Sequence, residues 1–412
     1  MQKQKLEFES LLRNILESLG ESSLPDKLKK DIFKELEEVR AFALDSRAPR
    51  IAIVGRRGSG KSSLINAIFN EYKAETGDVK AQTGRGKWHT YESELGNLEI
   101  LDTRGLGESD LPEEETEAVT PLEELEKAVV NKCPDVILFL SKAKEVGARI
   151  DEDIAQVKEL INVIKEVHNY DIPIVGVVTQ VDELNPKKEE PPFTSELKRK
   201  NIQEAVDELA RKLKGITLYD VKVIPTAAYM MFDENTKEVI EETVWNIDVL
   251  LDYLIEQLPN DAQLQLAKLS KMKSVQKKLA RKYGRRFATL SGGVGAVPIP
   301  IADLPVITGI QTTMIILIAA ISGRKIQKDT VIEFITALGI NIGVGFALRE
   351  VARQLGKLIP AAGSAISGGV ASAGTYALCE SAIAYFIDNL GMDQAKKQFD
   401  TEFEKRNNES DK

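Results

Sequence analysis

The residues best able to do chemistry lie in one run, Gly55-Arg56-Arg57-Gly58-Ser59-Gly60-Lys61-Ser62-Ser63. An apolar stretch rich in β-branched residues, Arg50 to Val54, leads into it. The helical pattern Leu64-Ile65-Asn66-Ala67-Ile68-Phe69 follows at once. Strand, then G-x-x-x-x-G-K-S, then helix is the context in which such a motif cradles phosphate. Glycines let the backbone curl until several N–H groups converge on one anion, and the helix N-terminus adds its own free N–H groups and dipole. Gly55, Gly58, Ser59, Gly60, Lys61, Ser62 and Ser63 are therefore the candidate phosphate ligands. Lys61 is placed to reach the β- and γ-phosphates, and the Ser62 hydroxyl to bind Mg2+.

Further candidate chemistry falls at the ends of other apolar runs. Leu98-Glu99-Ile100-Leu101 precedes Asp102-Thr103-Arg104-Gly105, in which Asp102 suits Mg2+ through a water and the Gly105 N–H suits a γ-phosphate. Ile174-Val175-Gly176-Val177-Val178 precedes Thr179-Gln180-Val181-Asp182, and Val221-Lys222-Val223-Ile224-Pro225 precedes Thr226-Ala227-Ala228. The elements that must position them read as strands over 50–54, 98–102, 135–140, 173–179 and 221–225, with shorter ones near 79–82 and 87–92. Helices read over 61–69, 121–131, 148–168, 194–213 and 243–258. That alternation predicts an α/β fold with a mostly parallel sheet, helices on both faces and a ligand at the carboxyl ends of the strands.

The order of these four motifs resembles the G domain of the Ras-like and Era-like P-loop GTPases. The resemblance implies GTP or GDP and Mg2+ as cofactors, and Mg2+-dependent hydrolysis of GTP. Asp182 matches the aspartate that takes the N1 and N2 hydrogens of guanine, and Thr179 the first position of that motif. Gln180 stands where the family has a lysine over the base. Thr226 and Ala227 resemble the loop near guanine O6. Ala74 to Gly84 resembles the Era-like switch I, which makes Thr83 the Mg2+ ligand, with Thr76 and Thr90 as competitors. The position that carries a catalytic glutamine in Ras-like enzymes is Leu106, and Gly58 replaces the asparagine that holds a potassium ion in some Era-like proteins. An arginine in a similar loop acts as a finger in some large self-assembling GTPases, which makes Arg57 a candidate beside Lys61, Gly105 and Thr83. The alternative is that Arg56 and Arg57 are solvated or bind acidic partner residues.

At 412 residues, 43% apolar and 29% charged, the chain suits two or three globular domains. Its net charge of −9 argues against DNA as a partner. Two distant cysteines, Cys133 and Cys379, give no disulfide framework, and two histidines, His89 and His168, give little basis for a metal site. Charged residues through Met1–Glu9 predict no secretory leader. Residues 1–48 read as two amphipathic helices that pack on the C-terminal domain, 49–259 as the G domain, 260–405 as a helical domain and 406–412 as a disordered tail, so that the N- and C-terminal helices together make an all-α domain beside the G domain. The acidic run over 108–126 reads as a solvated face.

The C-terminal third changes character. Residues 268–286 hold nine Lys or Arg and no acid, and they lead toward uncharged runs over 304–323 and 358–379. A basic helix before long uncharged segments predicts contact with an anionic membrane surface, peripheral or inserted. Small residues and Gln311 suit a buried helical core as well. Residues 280–390 resemble an uncharacterised helical domain found behind Era-like G domains in bacteria, and the layout resembles immunity-related and dynamin-like GTPases. The expectation is a cytoplasmic GTPase whose nucleotide state drives the helical domain at a membrane surface or in a homodimer or higher assembly. A slow GTPase acting as a nucleotide-gated scaffold and a ribosome-assembly GTPase remain alternatives.

Overall fold

The computed structural model describes residues 2–74, 88–102, 121–147, 150–217, 221–297, 304–324, 334 and 368–410. The chain forms two compact units, Arg47–Lys271 and Met1–Ser46 with Met272–Lys412. The division falls after Lys271, whereas the sequence places it after Pro259.

The first unit is built on a six-stranded sheet. Its strands are β1 (Arg50–Val54), β2 (Trp88–Ser93), β3 (Gly96–Asp102), β4 (Val136–Lys142), β5 (Ile174–Thr179) and β6 (Lys222–Pro225), in the order β2-β3-β1-β4-β5-β6. Only β2 runs antiparallel to its neighbour. Strands β1, β4 and β5 are almost wholly buried runs, as a parallel sheet covered on both faces requires. Helices α3 (Lys61–Phe69), α4 (Pro121–Asn131), α5 (Asp151–His168), α6 (Glu196–Leu213), α7 (Ile247–Gln257) and α8 (Asn260–Leu269) accompany the sheet. Leu160 of α5 and Leu209 of α6 meet Ile137, Phe139 and Val178 in one apolar core.

At the amino ends of β1 and β4, Arg47 donates to both carboxylate oxygens of Asp135 at 2.7 and 2.8 Å, and to Asp261 of α8 at 2.8 Å. Helix α8 packs on β3, which is why it belongs to the sheet unit despite lying beyond residue 259.

A hairpin replaces part of the helix expected over 243–258. Strands β7 (Ala227–Phe232) and β8 (Val239–Trp245) pair antiparallel, and α7 begins only at Ile247. The physical reason is local. Strand β8 is rich in β-branched residues and ends in Trp245, and β7 carries Tyr229 and Phe232. Asp233 closes the turn through Oδ1, which accepts from Asn235 N at 2.9 Å and Thr236 N at 2.8 Å. Asn246 ends β8 in the left-handed region, with φ of 64°. The strand expected near 79–82 lies outside the described residues.

The second unit holds α1 (Gln2–Glu21), α2 (Asp26–Leu44), α9 (Lys273–Gly295), α10 (Leu304–Ile321), α11 (Gly368–Ala382) and α12 (Met392–Ser410), with a π-helical turn, Ile383–Ile387, extending α11. The N-terminal helices find their apolar partners here. Ile15 of α1 lies so close to Gly309 of α10 that a Cβ there would come within 2.6 Å of it. Phe42 of α2 meets the Tyr283 ring of α9 at 4.6 Å between centroids. Helices α9 and α11 approach still more tightly, since a Cβ at Gly284 would sit 2.2 Å from Cys379 Sγ.

The uncharged runs are packed inside this unit where they are described. In α10, Gln311 Nε2 donates to Thr375 Oγ1 of α11 at 3.1 Å, and the Thr312 and Thr313 hydroxyls bond back to the carbonyls of Thr308 and Gly309. Among the described residues one helix, Gly368–Ile387, is long and apolar enough to cross a membrane, and 83% of its apolar window is buried in the protein.

The stretch 268–286 is two helices rather than one. Helix α8 ends at Leu269, Lys271 takes φ of 50° and binds Glu71, and α9 starts at Lys273. Much of the basic face of α9 is turned to acids of its own unit. Lys277 pairs with Asp388 at 2.7 Å, Arg281 with Glu380 at 2.8 Å and Arg286 with Glu35 at 2.6 Å as well as with Glu38. Of the tail expected over 406–412, residues 406–410 continue α12 to Ser410, and 411 and 412 lie outside the described residues. Arg406 bonds to Glu402 one turn back at 2.9 Å and lies 3.5 Å from the Tyr376 ring centroid, which holds that last stretch helical.

Candidate nucleotide site

Residues 55–60 make the turn between β1 and α3. Gly58 and Gly60 have φ of 71° and 86°, a region that side chains with a Cβ enter at a cost. Gly55 is needed for a different reason: a Cβ there would lie 2.7 Å from both Leu140 O and Ser59 Oγ. Lys61 folds back over the loop, its Nζ donating to Gly55 O at 2.5 Å and Arg56 O at 3.3 Å. Ser62 and Ser63 stand half-buried in the first turn of α3. The Ser59 hydroxyl is buried with no hydrogen-bond partner among the described residues.

The motifs after β5 and β6 are brought to this loop. Thr179 Oγ1 donates to Ser59 O at 2.9 Å, and Gln180 Nε2 donates to Gly58 O at 2.9 Å. The glutamine in the family's lysine position thus reaches the phosphate loop, and Thr179 braces the two segments together. Gln180 takes φ of 57°, and the short turn Val181–Glu183 carries Asp182. Burial pushes the Asp182 carboxyl up from its ordinary pKa, against the pull of Lys198 and Lys144. Thr226 N donates to Val178 O at 2.7 Å and Thr226 O accepts from Val181 N at 3.3 Å, which joins the third loop to the second. The Thr226 hydroxyl is fully buried and also lacks a partner among the described residues. Ala227, equally buried, opens β7.

The two loop arginines part company. Arg56 Nε donates to Asp153 Oδ2 of α5 at 2.8 Å, whereas Arg57 is exposed. Asp153 is itself buried, and that burial raises its pKa against the pull of Arg56. Nothing in the sequence marks Asp153, which reads there as one of three acids in a helix's first turn. Asn66 is a second residue that the sequence concealed. Fully buried in α3, it accepts from Lys73 N and Ala74 N at 2.8 and 2.7 Å and donates to Ala74 O at 2.8 Å. It clamps the chain just before residues 75–87.

Asp102 is the last residue of β3 and pairs in register with Ile53, next to the start of the phosphate loop. Thr76, Thr83, Gly105 and Leu106 lie outside the described residues. Thr90 lies in β2, opposite Glu99. Residues 50–180 match the family described as 50S ribosome-binding GTPase. Over that stretch the chain resembles P-loop GTPase domains of the Era-like and Ras-like class.

Curated proteins similar to this chain include GTPase Der of Persephonella marina, 31% identical over 140 residues, which are 34% of this chain and 28% of that protein. The tRNA modification GTPase MnmE of Streptococcus suis is 26% identical over 211 residues, 51% of this chain and 42% of that protein. The chain thus spans less than half the length of these two curated relatives. Among solved structures, Toc33 from Arabidopsis thaliana in complex with GDP and Mg2+ aligns at a TM-score of 0.35 and 16% identity, covering 61% of this chain and 96% of that one. Era of Aquifex aeolicus aligns at a TM-score of 0.34 and 20% identity, covering 58% and 68%.

Proposed function

We propose that the sheet unit binds GTP with Mg2+, hydrolyses it to GDP and phosphate, and passes its nucleotide state to the helical unit. The observation that carries this reading is the pair of hydrogen bonds from Thr179 and Gln180 to the carbonyls of Ser59 and Gly58. They put the base-side motif and the phosphate loop at one site. The groups present fit such a ligand. Gly58 and Gly60 curl the loop at positive φ, a Cβ at Gly55 would clash, and the buried hydroxyls of Ser59 and Thr226 have no partner among the described residues.

In this reading Lys61 and the loop N–H groups hold the phosphates, and Asp182, Thr226 and Ala227 read guanine. Ser62, Asp102 and Thr83 hold Mg2+, which supplies neutralisation of charge on the phosphates. The Gly105 N–H meets the γ-phosphate, and exposed Arg57 offsets charge developing in the transition state. Arg56, tied to Asp153, positions the loop.

The output is proposed through the helical unit, in self-association or at an anionic membrane surface in the cytoplasm. The internal pairing of Lys277, Arg281 and Arg286 favours self-association. The test is phosphate release from GTP and ATP, with and without EDTA, across protein concentration and with anionic liposomes. Mg2+-dependent turnover of GTP over ATP is expected, with a rate per molecule that rises with concentration. A rate that rises only with liposomes points to the membrane. Absence of GTP turnover overturns the hydrolase reading in favour of a nucleotide-gated scaffold.

A further inference from the structure

Asp182 stands on backbone that no sheet or long helix supports. After the turn Val181–Glu183 the chain runs as loop through Pro186, Pro191 and Pro192 until α6 begins at Glu196. Buried carbonyls in such a segment need partners from elsewhere. The first turns of α6 supply them. Lys198 Nζ donates to Asp182 O and Leu184 O at 2.6 Å each, and lies 3.4 Å from Pro186 O. Asn201, on the same face of the helix, donates from Nδ2 to Asn185 O at 2.9 Å. The far end of the loop is fixed as well, because Glu189 Oε1 accepts from Thr194 N and Ser195 N at 2.6 Å each.

Lys198 is fully buried, at 0% exposure, with its ammonium 4.8 Å from the centroid of Phe193. Burying a charge is costly unless its hydrogen bonds are met. Here its three donors point at main-chain oxygens rather than at a carboxylate. The charge therefore fixes a backbone shape. One of the gripped oxygens belongs to Asp182 itself, so the strut acts a few bonds from the Asp182 carboxylate.

We infer that Lys198 is a positioning residue for base recognition: its ammonium sets the backbone of Asp182 so that the carboxylate meets the N1–H and 2-amino edge of guanine. The inference rests on the guanine-nucleotide reading proposed above. Two parallel hydrogen bonds tolerate displacement poorly. Loss of the strut should therefore degrade discrimination between bases more than grip on phosphate.

The test uses the full chain with a fluorescent GDP analogue displaced by GTP, ITP or ATP. ITP keeps N1–H and lacks the 2-amino group, so the ratio of GTP to ITP affinity reads the Asp182 contact. Lys198→Met is expected to lower GTP affinity about tenfold, to lower ITP affinity less, and to shrink the ratio at least about threefold. A variant that is merely less stable loses competent molecules equally for both nucleotides and keeps the wild-type ratio. Lys198→Gln retains two N–H donors. Its ratio is expected to fall between the other two, and it carries the test if the methionine variant does not fold. A wild-type chain that binds ATP as tightly as GTP overturns the guanine reading and the inference with it. A wild-type preference for GTP over ITP that survives both substitutions in folded protein overturns the inference alone.

Discussion

The phosphate loop and the helical unit use their polar and charged residues differently. Around the phosphate loop the Ser59 and Thr226 hydroxyls lack partners among the described residues, Arg57 is exposed, and Lys61 curls over carbonyls, while Arg56 is tied to Asp153. In the helical unit, Arg281, Arg286 and Lys277 are paired with Glu380, Glu35 and Asp388. A ligand site must keep donors available, whereas a bundle whose buried surface includes acids must match each with a cation. The two basic stretches thus point to different roles, ligand contact in the loop and packing in the helical unit.

The strongest way to break this contrast is at Lys61. Lys61→Ala is expected to lower GTP turnover at least about 100-fold, near 2.7 kcal/mol of barrier, with thermal melting of the helical unit unchanged. Phosphate release and melting curves on the same preparation check it, and retained turnover would remove the lysine from the chemistry. The converse experiment is Arg281→Ala, which leaves Glu380 buried without its cation. A loss of about 2 kcal/mol in stability is expected, discounted because Arg281 is partly solvated. GDP affinity should stay the same. Denaturant unfolding beside a GDP titration reads both quantities, and a drop in affinity without loss of stability would tie the helical pair to the site.

A smaller effect separates the two loop arginines. Arg57→Ala should cut turnover about tenfold or more with nucleotide affinity little changed. Arg56→Ala should act on affinity as well, because its partner Asp153 is buried. Equal kinetic profiles for the two variants would erase the distinction. The smallest effect concerns Glu71, whose pKa is lowered from 4.5 chiefly by the hydrogen bond from Lys271. A carboxylate with a depressed folded pKa stabilises above its unfolded value and loses that contribution as pH falls through the folded one. Glu71→Gln should therefore cost no more than about 1 kcal/mol at pH 7, and nothing once the pH lies below the folded pKa. A pH series of unfolding midpoints measures it.

The motif residues were legible because each local pattern carries its own geometry. Glycines at 55, 58 and 60 forecast a curled loop, and apolar runs ending in Asp102, Thr179 and Thr226 forecast strand ends. The hairpin of β7 and β8 was missed because its turn lacks the glycine that usually marks one, and Asp233 performs that task with its side chain. The unit boundary was missed because the apolar stripe of α8 is the same whether it packs on β3 or on another helix.

Lys198, Arg199 and Lys200 read alike in sequence, yet only Lys198 is buried among carbonyls. Likewise the nine cations of 268–286 look like one solvated face, and their acid partners lie about a hundred or more residues away in several cases. Sequence alone determined the strand–loop–helix order, the phosphate loop and the strand-end motifs, since these depend on backbone preferences set within a few neighbouring residues. Tertiary structure alone decided which charges face ligand, main chain or counter-charge. Burial and pairing are properties of what lies across the packed interface, and no local pattern encodes them.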